Sequence, residues 1–287
     1  MAVTFYPNLI HYAGFDASAE PGLSNQNYAC SGGETTGPGY DLVDNRRDNV
    51  LTFDTNGEAD NPVINMVMTT AYEINFVIVD NHNFNTADAD LLIVYNWGTS
   101  TDTLTGHSAW SGTLGSALSA ETISNYRVLV PADGICLNTF TAATDEDWGL
   151  EIPDNDDDNF NADVTLGEIA IGKSFSPAHS PEINIVSSYR MPGYTNISGG
   201  GQKYGYAIHT NYQRAWRLNW QFMSDANKTS LENIFKYTNG TQYPFYIDLG
   251  EAATPQLYYV RFVPNSLDFT QLTNDAWAVT VAIEEEI

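Results

Sequence analysis

The 287-residue chain carries 36 acidic and 11 basic side chains, a formal net charge of −25, and 43% hydrophobic residues. That much apolar material argues against a disordered chain, and a surface this acidic repels phosphate backbones, which argues against direct nucleic-acid binding. No apolar run approaches the ~20 residues that span a bilayer.

The charge is unevenly placed. From Ala178 onward there are 10 acidic and 7 basic residues, net −3, leaving 26 and 4 before it, net −22. The pattern predicts an acidic, solvent-facing first domain over residues 1–176. A near-neutral second domain over 177–287 would pack against neighbours. Met1 to Asn8 has neither the basic nor the apolar region of a secretory signal, so none is expected. Cys30 and Cys136 have no metal-ligand spacing and are read as reduced thiols.

Short alternating or apolar runs bounded by Gly, Pro, Asn and Asp predict strands at Val3–Ile10, Asn49–Phe53, Val63–Met68, Tyr72–Val79 and Asp90–Tyr95. Further strands are expected at Tyr126–Leu129, Cys136–Thr141, Trp148–Ile152 and Glu168–Ile171. Nine such strands suit a jelly-roll-like β-sandwich. Gly14 to Tyr40 has no periodicity and reads as a long loop. Ser174 to Pro181, with two prolines, reads as the interdomain linker. Met191 to Gly205, with Gly199-Gly-Gly201, reads as an irregular excursion of the second domain.

The last seventy residues predict a small α+β module. Trp216–Phe222 alternates like a half-buried strand. Ser224 is a suitable N-cap, Asp225 complements the helix dipole, and Leu231, Ile234, Phe235 and Thr238 share one face of a helix. Asn239-Gly240 stops it. Pro244–Asp248, Leu257–Phe262 and Trp277–Glu284 follow as strands, and the helix must pack on their sheet to be stable.

Three sets of side chains are candidate sites. Asp154, Asp156, Asp158 and Asp163 form the core of the densest carboxylate run and are a weak calcium candidate. Asn159 stands where an EF-hand loop needs glycine and Thr165 where it needs the two-oxygen glutamate, so an EF-hand is not expected. A solvated acidic turn accounts for the same residues. His82, beside Asp80, Asn81 and Asn83, has no nucleophile elbow and no second histidine at ligand spacing; a ring bonded to neighbouring backbone is the simpler reading. Trp97, Trp110, Trp148 and Tyr40 are candidate sugar-stacking rings. Acids such as Asp145-Glu-Asp147 are expected in turns rather than paired in a cleft. No catalytic residue, cofactor site or phosphate loop is assigned.

Phe76-Val-Ile-Val-Asp-Asn-His-Asn-Phe84, Trp148-Gly-Leu-Glu-Ile-Pro-Asp-Asn155 and Leu166-Gly-Glu-Ile-Ala-Ile-Gly172 resemble strands and turns of sandwich domains in phage structural proteins. Trp216 to Glu286 resembles the C-terminal domain of minor tail proteins of tailed bacteriophages. The resemblance implies a galactose-binding-like jelly roll followed by a tail-assembly module. It further implies a non-enzymatic virion component made in the host cytoplasm, partnered by other tail proteins and by copies of itself. The alternatives are a carbohydrate-binding module that attaches to host surface glycans, and a polysaccharide-degrading enzyme.

Overall fold

The computed structural model describes residues 2–10, 12, 28–29, 35–36, 42–46, 48–55, 62–87, 91–96, 117–122, 134–152, 160–182, 186–190, 193–207, 212–251, 256–264 and 266–286. The fold is mainly β: a β-sandwich, and a smaller α+β unit with one full helix on an antiparallel sheet. The chain forms two compact units. One comprises Phe5–Ser174 with Glu251–Leu257; the other comprises Phe175–Gly250 and Tyr258–Ile287 with Met1–Thr4. The sequence-based division at 176/177 therefore differs by two short segments that change units. The N-terminal one is held within its unit by a hydroxyl–hydroxyl bond of 2.8 Å between Thr4 and Ser176. Gly250, at φ +67°, also leaves no room for a Cβ beside the backbone of Ala2.

In the sandwich, one sheet runs in the order Glu168–Gly172, Val63–His82, Gly134–Glu151, Leu91–Asn96, Ala117–Thr122, with Tyr28–Ala29 also on Val63–His82. A smaller sheet holds Thr35–Thr36, Leu51–Phe53 and Val164–Leu166. Two pairs of expected strands are fused. Val63–Met68 and Tyr72–Val79 lie along one strand of 20 residues, and Cys136–Thr141 and Trp148–Ile152, short of its last residue, lie along one of 18. The polar stretches between them do not end the ladder, because register shifts between Val67 and Tyr72 and between Ile74 and Phe76 absorb the extra residues. These are bulges, which bend a strand without terminating it. Phe76, Val77, Ile78 and Val79 are all fully buried, as are Ile169, Ala170 and Ile171 opposite them. Tyr126–Leu129 and most of Gly14–Tyr40 lie outside the described residues.

In the α+β unit the sheet order is Phe245–Asp248, Leu257–Phe262, Ala276–Glu285, Gln213–Met223, Val186–Arg190, with Phe269–Thr273 also on Ala276–Glu285. The helix spans Asp225–Tyr237, and the Ser224 hydroxyl accepts the Asn227 N–H at 3.3 Å. Asn239 and Gly240 both take positive φ, and the Gly240 N–H closes on the Phe235 carbonyl at 2.9 Å. Leu231, Ile234 and Thr238 are buried, whereas Phe235 is only half-buried and meets Phe262 edge-on at 5.2 Å. Asp225 does more than face the helix dipole: its carboxylate accepts the Trp277 indole N–H at 2.5 Å. Among the described residues no helix is long and apolar enough to cross a membrane.

The strand Gln213–Met223 alternates as expected until its end. Trp216, Leu218 and Trp220 are buried and Arg217 is exposed. Trp220 pairs with Val279 and Met223 with Trp277, so three steps on one strand match two on the other. That extra residue reverses the alternation, burying Met223 and leaving Phe222 63% exposed.

The stretch Met191–Gly205 is not an irregular excursion. Gly193–Ile197 and Lys203–Ala207 pair as a two-stranded ribbon, with Tyr194 opposite Tyr206 and Asn196 opposite Tyr204. Its three consecutive glycines sit in the turn.

Candidate functional site

His82 ends the long strand Val63–His82 and is 8% exposed. Its ring stacks on Phe84, with centroids 4.0 Å apart and planes at 19°. Nδ1 accepts the Phe84 N–H at 3.3 Å, which places the ring proton of the neutral form on Nε2. Burial pushes its pKa from 6.5 down to about 3. A ring held neutral and covered serves as a corner post, as the backbone-bonded reading anticipates. Asn83 completes the corner: its amide donates to the Asp163 carbonyl at 2.7 Å and accepts the Thr165 N–H at 2.8 Å.

Asp80 and Glu168 face one another across the same ladder, and both are fully buried. Asp80 accepts the Asn81 N–H at 2.7 Å and Glu168 the Asn45 N–H at 3.0 Å. Both carboxylates are thus tied to backbone inside the ladder. The sequence pattern singles out Asp80 only as a neighbour of His82 and leaves Glu168 aside, although an acid inside Val77-Ile-Val-Asp80 and at the head of Glu168-Ile-Ala-Ile171 is the signal of a buried polar anchor.

Trp148, one of the candidate sugar-stacking rings, is a core residue instead. It is fully buried, and its indole N–H donates to the Asp145 carbonyl at 3.2 Å. Asp145-Glu-Asp147, expected in a turn, lies within the strand Gly134–Glu151, and Asp145 is buried. Trp97, Trp110 and Tyr40 lie outside the described residues, as do Asp154, Asp156, Asp158 and Cys30. Asp163 is described, and among the described residues no three His, Cys, Asp or Glu converge on a point. Cys136 is a buried thiol. Among the described residues of this unit, the exposed large aromatic ring is Tyr12, 48% exposed and edge-on to Tyr72 at 6.4 Å. Beside Tyr72, Glu73 pairs with Lys173 at 2.5 Å, and Asn75 exchanges two hydrogen bonds with Ser174.

In the α+β unit, the sheet face carrying Asn219, Thr280, Ala278 and Thr270 holds an open groove of about 500 Å³. Glu182 and Asp268 stand at it with exposed carboxylates, and Asn219 accepts the Thr280 hydroxyl across its floor at 2.8 Å. Among the described residues none of the lining side chains is basic; Arg217, two residues along the strand from Asn219, lies outside the lining. The sheet's end strand is Val186–Arg190, whose Ser187, Ser188, Tyr189 and Arg190 are all exposed. Exposed Ile197, Tyr204 and Tyr212 follow in the ribbon and just after it. The groove and the ribbon were invisible in sequence because they rest on register, not on residue type.

No family model matches the chain, and no curated protein matches it. Solved structures do. It is similar to chitosan-binding module 1 of a chitosanase/glucanase from Paenibacillus sp. IK-5 (19% identity, 58% of this chain and 98% of that one, TM-score 0.33). It is similar to the C-terminal domain of a chitobiase from Bacteroides fragilis (12% identity, 53% and 98%, TM-score 0.35). A CBM32 module of a family 31 glycoside hydrolase from Clostridium perfringens matches at 8% identity (51% and 90%, TM-score 0.34). The chain spans only 22% of a Ruminococcus gnavus GH29 fucosidase that it also matches. Superpositions this loose assign neither a ligand nor a site.

Proposed function

We propose that the chain is a non-enzymatic assembly protein, a component of the tail of a tailed phage, joined to its neighbours through the α+β unit. The observation that carries this reading is the exposed end strand Val186–Arg190 followed by the ribbon Gly193–Ala207. A two-stranded ribbon is at best marginally stable alone in water, and an end strand offers backbone donors and acceptors to another chain. The resemblance of Trp216–Glu286 to tail-protein modules supplies the kind of assembly. Sedimenting intact particles and probing them for this chain tests it: co-sedimentation is expected, and its absence from particles overturns the reading.

A second reading, attachment to a glycan through the β-sandwich, is favoured by one feature. Tyr12 presents an exposed ring supported by Tyr72, beside the Glu73–Lys173 pair, and rings of this kind stack on sugars while adjacent polar groups meet hydroxyls. The carbohydrate-binding modules among the similar structures share this type of fold. A glycan array probed with the full chain and with Tyr12→Ala decides it: binding abolished by the substitution supports the reading, and binding to no glycan rejects it.

A further inference from the structure

We propose that the ribbon Gly193–Ala207 of one copy docks into the groove on the open sheet face of a second copy, with Lys203 meeting Glu182 and Asp268. This deepens the assembly reading and rests on it.

The ribbon is built as a plug. From Gly193 to Ala207 it contains one lysine and no carboxylate. Ile197 and Tyr204 near its tip are 65% and 58% exposed, a cost in water that a cover removes. The tip is already ordered. The Gly201 N–H donates to the Ser198 carbonyl at 2.8 Å, with Gly201 at φ +81°, and the Ser198 N–H donates to the Gln202 carbonyl at 2.8 Å. The Ser198 hydroxyl also accepts the Gln202 N–H at 3.1 Å, and the Tyr204 hydroxyl donates to the Gln202 side chain at 2.8 Å. A tip ordered in advance loses little entropy on docking.

The groove is the complement. Among the described residues its two carboxylates have no basic partner in the lining, and Asn219, Gln221, Thr270 and Thr280 supply hydrogen-bonding groups beside them. At about 500 Å³ it has room for several side chains. Lys203 is exposed and, among the described residues, makes no ion pair. Charge complementarity of this kind sets partner and register. Ribbon into groove is a contact between unlike surfaces, so repeating it from copy to copy builds a ring or a filament.

The test is the mass of the full chain by sedimentation from about 1 to 100 μM. The wild-type chain is expected to form multimers. Lys203→Glu, and separately Glu182→Lys with Asp268→Lys, should each weaken association by at least about tenfold, because each sets like charges face to face. The three substitutions together should restore it. All three side chains are exposed, so the fold is retained, which circular dichroism checks. Multimers indifferent to both reversals overturn this contact while leaving assembly through another surface. A wild-type chain that stays monomeric overturns self-association, and if it still sediments with particles the broader assembly reading stands.

Discussion

Arg214 and Glu285 form a two-pronged ion pair across neighbouring strands of the α+β sheet. The guanidinium Nε donates to Oε2 at 2.7 Å, its NH2 group donates to Oε1, and the Arg214 backbone N–H reaches Oε2 at 3.3 Å. The same guanidinium lies over the rings of Tyr258, at 4.7 Å, and Trp216, at 5.7 Å. Hydrogen bonding to Glu285 raises the Arg214 pKa above its ordinary value, against the opposing effect of burial. Its neighbours are paired too: Glu284 with Arg190 at 3.4 Å, and Glu286 with Arg261. The acidic run Glu284–Glu286 thus meets three separate arginines.

Arg214→Ala should therefore destabilise the α+β unit by about 1–2 kcal/mol, less than a fully buried pair because both side chains keep some solvent contact. Arg214→Lys should recover little of this, since an ammonium cannot reproduce the fork or the stacking. Urea unfolding of the three proteins measures it; a lysine variant as stable as wild type contradicts the geometric argument.

Helix truncations should rank by burial. Leu231→Ala removes a fully buried side chain and should cost about 2–5 kcal/mol. Phe235→Ala should cost less than the 3–5 kcal/mol typical of a buried ring, because Phe235 is half-buried against Phe262. Denaturant midpoints give the order, and Phe235→Ala as the more damaging change would reverse the assigned face.

His82 makes stability pH-dependent. Its folded-state pKa of about 3 lies below the ordinary 6.5, so between those values the unfolded chain binds the extra proton. Its contribution is fully present above pH 6.5 and is lost progressively as pH falls towards 3. At pH 4.5 the loss from this group is about 2–3 kcal/mol. Unfolding of wild type and His82→Gln at several pH values isolates it: the slope in this window should shrink in the variant, and an unchanged slope assigns the acid sensitivity to other groups.

Gly172→Ala should destabilise the sandwich by about 1–3 kcal/mol. A Cβ there collides with the Pro7 carbonyl and presses on Leu9 and Phe76, each 3.3 Å away. Gly199→Ala in the ribbon turn meets nothing within 4 Å and should be nearly neutral. Thermal melts of both variants compare them; equal effects remove the steric account of Gly172.

Local chemistry made the helix legible: Ser224 caps it, Asn239-Gly240 stops it, and Leu231 and Ile234 mark its buried face. The β-rich class and most strand centres were likewise readable from alternation. What escaped was register. Thr69-Thr-Ala71 looks like a break but lies inside one bulged strand, and a single extra residue after Trp220 turns Phe222 outward. Gly199-Gly-Gly201 looks like slack chain but belongs to a tight turn closed by Ser198 and Gln202. The groove needs Glu182, Asn219, Asp268 and Thr280 from four separate places in the chain, which no local pattern records.

Electron microscopy of the assembled particle with this chain traced shows whether the α+β unit joins it to an assembly. The Gly193–Ala207 ribbon is expected against a neighbouring chain, with the groove at Glu182 and Asp268 covered. A chain whose ribbon and open sheet face both stand in solvent within the particle would contradict it.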